Sequence, residues 1–190
     1  MKEKKYKYPA IKIKRKKGDE KFTFGNVHLD FQLNDFWSWN QSNLIENRTR
    51  GILAEFLVKQ ALGIETPIRM EWDDSDLETK NGTKIEVKSS AYLQSWEQEK
   101  LSGIQFDVSK KHFYTDNIRK RRSDYYVFCV LTCKEQNKVN PMDLKQWDFY
   151  VLETKILDEK IGEQKTITLN SLLNLKPKKC NFDELKNVII

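Results

Sequence analysis

Glycine is scarce in this chain. Seven glycines in 190 residues leave little material for a phosphate-cradling loop, and no glycine-rich nucleotide motif occurs. Histidine is scarcer, with two residues, and no Ser-His-Asp order suggests a nucleophilic triad. The three cysteines, Cys129, Cys133 and Cys180, are an odd number, and the first two fall within an apolar, strand-like pattern. They read as reduced thiols, not as a disulfide framework or a zinc site. No apolar run approaches the roughly 20 residues that span a bilayer. The lysine-rich N-terminus also lacks the apolar segment of a signal peptide. Internal repeats are absent. These absences lead to the expectation of a cytoplasmic protein with no membrane partner.

Charge is plentiful. Charged residues are 33% and aromatics 12% of the chain, the mark of a folded domain rather than a disordered one. The length suffices for one domain with a sizeable core. Net charge is +6, yet residues 1–18 alone hold nine Lys or Arg against one acid. The expected organisation is a basic flexible arm over residues 1–20, with one edge strand at 11–14, followed by a single domain over 21–190. The basic excess suits a polyanionic partner, but mainly through the arm.

The most informative stretch is Asp74–Ser90. Apolar and polar residues alternate on both sides of Asn81-Gly82, a strong hairpin signal. A two-residue turn would set Asp76 opposite Val87 and scramble the faces. A three-residue loop, Lys80-Asn81-Gly82, pairs Thr79 with Thr83 and sets Leu77 against Ile85. Val87 then joins one apolar side. Asp76 falls opposite Glu86, Glu78 opposite Lys84, and Asp74 opposite Lys88. A one-residue slip would bury the charges, so the second register is expected. It sets two carboxylates face to face, which repel. A cation between them would relieve that, and hard divalent ions such as Mg²⁺ take carboxylate oxygens. The rival reading is a solvent-facing ladder of Glu78 with Lys84 and Asp74 with Lys88.

A helix is expected from Asn34 or Asp35, with Phe36, Trp37, Trp39, Leu44 and Ile45 near helical spacing. Trp37 and Trp39 read as core or inter-helix packing rather than platforms for bases. A second helix, 49–62, ends at Gly63. Its apolar residues surround it, so it reads as buried. Glu55 sits in its middle. It either pairs with Lys59 one turn on or is a third carboxylate aimed at the hairpin, and the hairpin favours the latter. Arg48 and Arg50 precede it, open to phosphates or to solvent. Residues 67–72 read as a strand or lead-in, and 104–108 as a short strand. Arg119-Lys120-Arg121-Arg122 is the densest basic run of the folded part, suited to phosphate oxygens or to solvent. Residues 125–131 are almost continuously apolar, as a central strand covered on both faces should be. A strand at 147–152, a helix at 153–160, a small strand at 166–169 and a helical turn at 171–175 follow. Asn181 and Glu184 form a capping box for a last helix, 182–188. The order implies an α/β (α+β) fold, a central mixed β-sheet flanked by helices.

Asp76 followed across a turn by Glu86-Val87-Lys88 resembles the core motif of the PD-(D/E)XK nuclease superfamily, with its restriction-endonuclease-like core. Ser75 stands where the proline of that name would be. Glu55 matches the glutamate that such families bring from a preceding helix. The resemblance covers about residues 36–96. It implies Mg²⁺-dependent hydrolysis of DNA phosphodiester bonds, with Mn²⁺ able to substitute. Asp76 and Glu86 would hold the ion, with the Val87 carbonyl a further ligand. Glu55 would assist through a water, and Lys88 would orient the attacking water or neutralise the phosphate. Gln94, six residues past Lys88, is either a polar positioning residue or a surface glutamine. Arg48, Arg50, Arg119, Lys120, Arg121 and Arg122 are the candidate DNA contacts. A homodimer is one open arrangement. The alternative function is a nucleic-acid-binding protein that keeps the fold without cutting.

Overall fold

The apolar run Tyr125–Leu131 becomes the middle strand of the principal sheet in the computed structural model, which describes residue 8 and residues 10–69, 74–113 and 116–189. Contacts divide the chain into two units, residues 1–40 with 66–69, and residues 41–65 with 70–190. The sequence reading had set residues 1–20 apart by composition. No helix among the described residues is long and apolar enough to cross a membrane.

The first unit contains β1 (Lys21–Phe24), β2 (Val27–Gln32) and α1 (Leu33–Gln41). The two strands form an antiparallel hairpin in which Phe24 pairs with Val27. Residues 11–14, expected as an edge strand, form none. Hydrogen bonds tie the segment before β1 to the start of α1. Asn34 N donates to the Gly18 carbonyl at 2.8 Å and Leu33 N to the Glu20 carbonyl at 3.0 Å. Gly18 has φ +104°, and a Cβ there would meet the Asn34 side chain at 2.0 Å, so only glycine fits. None of the residues of α1 is buried. Trp37 and Trp39 are therefore not core residues, contrary to the expectation. Their spacing marks a stripe, but nothing in the unit covers it.

The second unit runs α2 (Asn47–Ala61), β3 (Leu77–Glu78), β4 (Lys84–Ala91), β5 (Gln105–Asp107), β6 (Lys111–Phe113), β7 (Asp116–Lys120), β8 (Tyr125–Leu131), β9 (Trp147–Glu153), α3 (Thr154–Lys160), β10 (Thr166–Thr168), α4 (Leu169–Asn174), β11 (Lys178–Cys180) and α5 (Leu185–Val188). Five strands form a mixed sheet in the order β11-β9-β8-β4-β3. Only β4 and β8 are parallel, with Glu86 beside Tyr126 and Lys88 beside Phe128. The fold is thus α/β (α+β), as expected. The capping box also forms: Asn181 N donates to Glu184 at 2.9 Å and Glu184 N to Asn181 at 3.1 Å. The expected lead-in at 67–72 lies partly outside the described residues.

Strand alternation sorts the sheet's two faces. Ile85, Val87, Val127, Cys129, Phe149 and Val151 pack under Ala54, Leu57 and Val58 of α2. Tyr126, Phe128, Val130, Tyr150 and Leu152 pack under Phe106, Leu157, Ile167 and Leu172. Each fully buried Leu or Phe is worth roughly 1.5–3 kcal/mol. This two-sided burial leaves the sheet's β3 edge as the place where polar groups gather.

Candidate functional site

The hairpin takes the expected register over the two pairs that β3 supplies, but among the described residues Asp76 and Glu86 are not a strand pair. Leu77 pairs with Ile85 and Glu78 with Lys84, and Thr79 N donates to the Thr83 carbonyl at 3.0 Å. Gly82 takes φ +82°, the left-handed conformation the three-residue loop requires. Lys80, Asn81 and Gly82 are thus the loop, and the alternation of the strands fixes everything downstream.

Among the described residues β3 stops at Leu77, so beyond Ile85 the outer edge of β4 has no strand partner there. Asp76 fills the gap with its side chain: Val87 N donates to Asp76 Oδ2 at 2.7 Å. The N–H and C=O of one antiparallel strand residue point to the same side. The Val87 carbonyl therefore lies on that edge with Asp76.

Glu86 and Lys88 project from the face opposite Val87. Glu86 is 3% exposed. Its Oε1 accepts from Lys88 Nζ at 2.6 Å and from Lys111 Nζ at 2.5 Å. Burial works to raise the Glu86 pKa, but the two ammonium groups outweigh it and hold the carboxyl below its usual range. Burial likewise works to lower the Lys88 pKa, and the charges of Glu86 and Asp76 reverse the sign and raise it. Asp76 differs. Burial first, then the Glu86 charge, push it up to about 6, against the opposing pull of Lys88 and the Val87 N–H. Asp76 is thus the carboxylate of the pair that resists ionisation, chiefly because it is buried.

The side chains expected at the site are only partly brought together. Asp76, Glu86, Val87 and Lys88 meet at the β4 edge. Glu55 is half-buried on α2, whose apolar residues cover the Val87 face rather than the Glu86 face. Its charge adds to the rise of the Asp76 pKa, as the smallest of the named influences. Among the described residues, no group of three or more His, Cys, Asp or Glu side chains is arranged to hold a metal ion. Asp76, Glu86 and Val87 offer two carboxylates and one backbone carbonyl. Those are hard oxygen donors, which fit Mg²⁺, an ion that keeps several waters and takes one or two carboxylates.

Other expectations need correction. Gln94 Nε2 donates to the Ala91 carbonyl at 2.9 Å, and its Oε1 accepts from Arg50 at 3.4 Å, so it braces the turn after β4. Arg50 is 4% exposed, with one nitrogen 2.8 Å from the Ile45 carbonyl and another 2.7 Å from Asn47 Oδ1. It anchors the start of α2 and is not available to a phosphate. Arg121 is buried too. It pairs with Asp158 at 2.6 Å and donates to the carbonyls of Val108 at 2.7 Å and Gly162 at 3.1 Å. Arg122 is mostly buried and lies 3.9 Å from Asp74. Asp74 also pairs with Lys84 at 3.7 Å, not with Lys88, so the proposed solvent ladder does not form as drawn. Of the six basic candidates, Arg48, Arg119 and Lys120 are exposed.

Two residues of the site were missed in the sequence. Lys111 reaches Glu86 from β6, and Asp107 on β5 lends its negative charge to the surroundings of Lys88. No local pattern marks either one. Only the return of β5 and β6 toward β4 brings them near. No protein-family model matches the chain, and no curated protein is similar to it.

Proposed function

We propose that this chain is a Mg²⁺-dependent endonuclease of the PD-(D/E)XK type that hydrolyses DNA phosphodiester bonds, with Mn²⁺ able to replace Mg²⁺. The observation that carries the reading is that Asp76, bonded to the Val87 N–H at the outer edge of β4, lies within electrostatic reach of the Glu86–Lys88 pair. Asp76 and Glu86 would hold the ion, with the Val87 carbonyl beside them. When bound, a divalent ion supplies Lewis-acid polarisation of a phosphoryl oxygen and lowers the pKa of water. Without an ion, the charges of Glu86 and Asp76 outweigh burial and favour the ammonium form of Lys88. As an ammonium, Lys88 would donate a hydrogen bond to a phosphate oxygen as charge develops there. Glu55 contributes charge to the Asp76 side of the site and is a positioning residue in this reading.

The experiment is nicking of supercoiled plasmid with Mg²⁺ or Mn²⁺. Wild type should nick. Lys88→Ala should abolish nicking and leave metal binding, read by calorimetry, largely intact. Full activity in Lys88→Ala would remove the lysine from the mechanism. A second reading has its own support: Lys88 and Lys111 already neutralise Glu86 without an ion. In that reading the chain binds nucleic acid without cutting it, and neither ion produces nicks in any variant.

A further inference from the structure

We propose that the N-terminal unit, residues 1–40 with 66–69, is a binding surface for single-stranded nucleic acid. Exposed rings would stack on unpaired bases there, and the basic segment would follow the phosphates. This does not rest on the reading of Asp76 and Glu86.

Charge comes first. These residues carry eleven Lys or Arg against five Asp or Glu, the whole of the chain's excess of six. The other unit is neutral in sum. Lys14, Arg15, Lys16 and Lys17 are consecutive and exposed. Such a run favours a polyanion and repels a second copy of itself.

Aromatic exposure comes second. Phe24 and Trp39 are each 82% exposed, and Phe22, Phe31, Phe36 and Trp37 are also exposed. The rings are grouped in pairs, with centroids 4.9 Å apart for Phe22 and Phe31 and 6.4 Å apart for Phe36 and Trp39. Exposed aromatic faces and a cationic run in one unit are the two parts of a single-strand platform, because every base has a π face and every nucleotide a charge. Paired bases hide those faces inside the duplex, so the partner is single-stranded.

A membrane surface fits less well. Helices that lie on anionic bilayers carry Lys or Arg on the polar face. The α1 sequence Leu33–Gln41 has no Lys or Arg and contains Asp35. The basic residues lie instead in the segment before β1.

The test uses the full chain in EDTA, so that cleavage cannot intrude. Binding is read by anisotropy of a labelled 20-nucleotide oligo(dT), a duplex of equal length, and phosphatidylserine vesicles. The single strand should bind more tightly than the duplex. Trp39→Leu should weaken single-strand binding by about tenfold, the scale of one stacked base, with an unchanged salt slope. Trp39→Phe keeps a π face and should retain most of the affinity. Changing Lys14, Arg15, Lys16 and Lys17 together to Gln should reduce the salt slope by about 3, at about 0.7 per phosphate contact. Equal or tighter duplex binding would overturn the proposal. So would Trp39→Leu binding like wild type, vesicle binding in place of oligonucleotide binding, or a dimer that Trp39→Leu dissolves. The leucine variant preserves apolar bulk at an exposed position, so misfolding does not obscure the result.

Discussion

Phe128 on β8 is fully buried, whereas Trp39 on α1 is 82% exposed, and the contrast holds for the units that contain them. In the sheet unit, Phe106, Tyr126, Trp147 and Phe149 fill the two sides of five strands. In the N-terminal unit, rings of the same kind stand on a hairpin and a helix in which no residue is fully buried. Hydrogen bonds through Gly18, Glu20 and Asn34 organise that unit instead. The difference shows that an aromatic residue's place depends on whether a second layer exists to receive it. Where it does, the ring supplies stability. Where it does not, the ring is surface chemistry.

The comparison is tested most severely at Phe128. Phe128→Ala should cost about 3–5 kcal/mol in urea unfolding, as large-to-small changes in a packed core do. A loss below about 1 kcal/mol would mean that the sheet's second face is not a core.

Arg121 tests the polar counterpart of that burial. Its side chain is fully enclosed, and it serves Asp158 and the carbonyls of Val108 and Gly162. Arg121→Ala strands these partners and should cost about 3 kcal/mol. Arg119→Gln, two residues away and exposed, should change stability by less than about 0.5 kcal/mol. If Arg119 meets duplex phosphates, the same change lowers the salt slope of binding by about 0.9, and Arg121→Ala does not. A salt slope that responds to Arg121 alone would reverse the assignment.

That pair also shows where sequence reasoning stops. Arg119-Lys120-Arg121-Arg122 looks uniform as text, yet Arg119 and Lys120 at the end of β7 are exposed, whereas Arg121 and Arg122 just past it turn inward. Whether the inward side finds carbonyls and an aspartate depends on α3 and the loop after it, about 40 residues on. The β3–β4 register, by contrast, was legible because turn length and apolar alternation are both local. So was β8, whose apolar continuity only a doubly covered strand tolerates. Asp76, Glu86 and Lys88 followed from that register. Lys111 did not, because a long-range sheet return brings it to Glu86. Trp37 and Trp39 were misread for a related reason: helical spacing reports a stripe but not its cover.

Asp76→Asn addresses the charge at the outer edge of β4. With the Asp76 pKa raised from 3.8 to about 6, the folded protein binds more protons than the unfolded chain between those values. The stability contributed by this group therefore falls as pH rises from about 4 to about 6. Glu86 behaves in the opposite sense. Its lowered pKa contributes stability above about 4.5, and that contribution is lost as pH falls through the folded value. The variant removes the first dependence and keeps the second. Metal-free, it should match wild type near pH 4 and exceed it by up to about 3 kcal/mol above pH 6, the linkage equivalent of a pKa raised from 3.8 to about 6. Urea midpoints across that range check it. A variant less stable than wild type at pH 7 would show that Asp76 is ionised at no cost, and that the Val87 N–H bond outweighs the repulsion.

The smallest expected effect is at the other end of the comparison. Trp39→Ala and Phe24→Ala remove rings of the same class as Phe128. Hydrophobic stabilisation scales with the area taken out of water, and four-fifths of each of these residues never leaves it. Each change should therefore move the urea midpoint by less than the equivalent of about 0.5 kcal/mol, with an unchanged m-value. Amide exchange sharpens the reading. Backbone N–H groups of β8 should open only with global unfolding, whereas those of the β1–β2 hairpin should exchange through local opening of much lower free energy. If Trp39→Ala instead costs more than about 1 kcal/mol, the ring is packed against something in solution. The exposed aromatic surface, and the base-stacking role built on it, would then fail together.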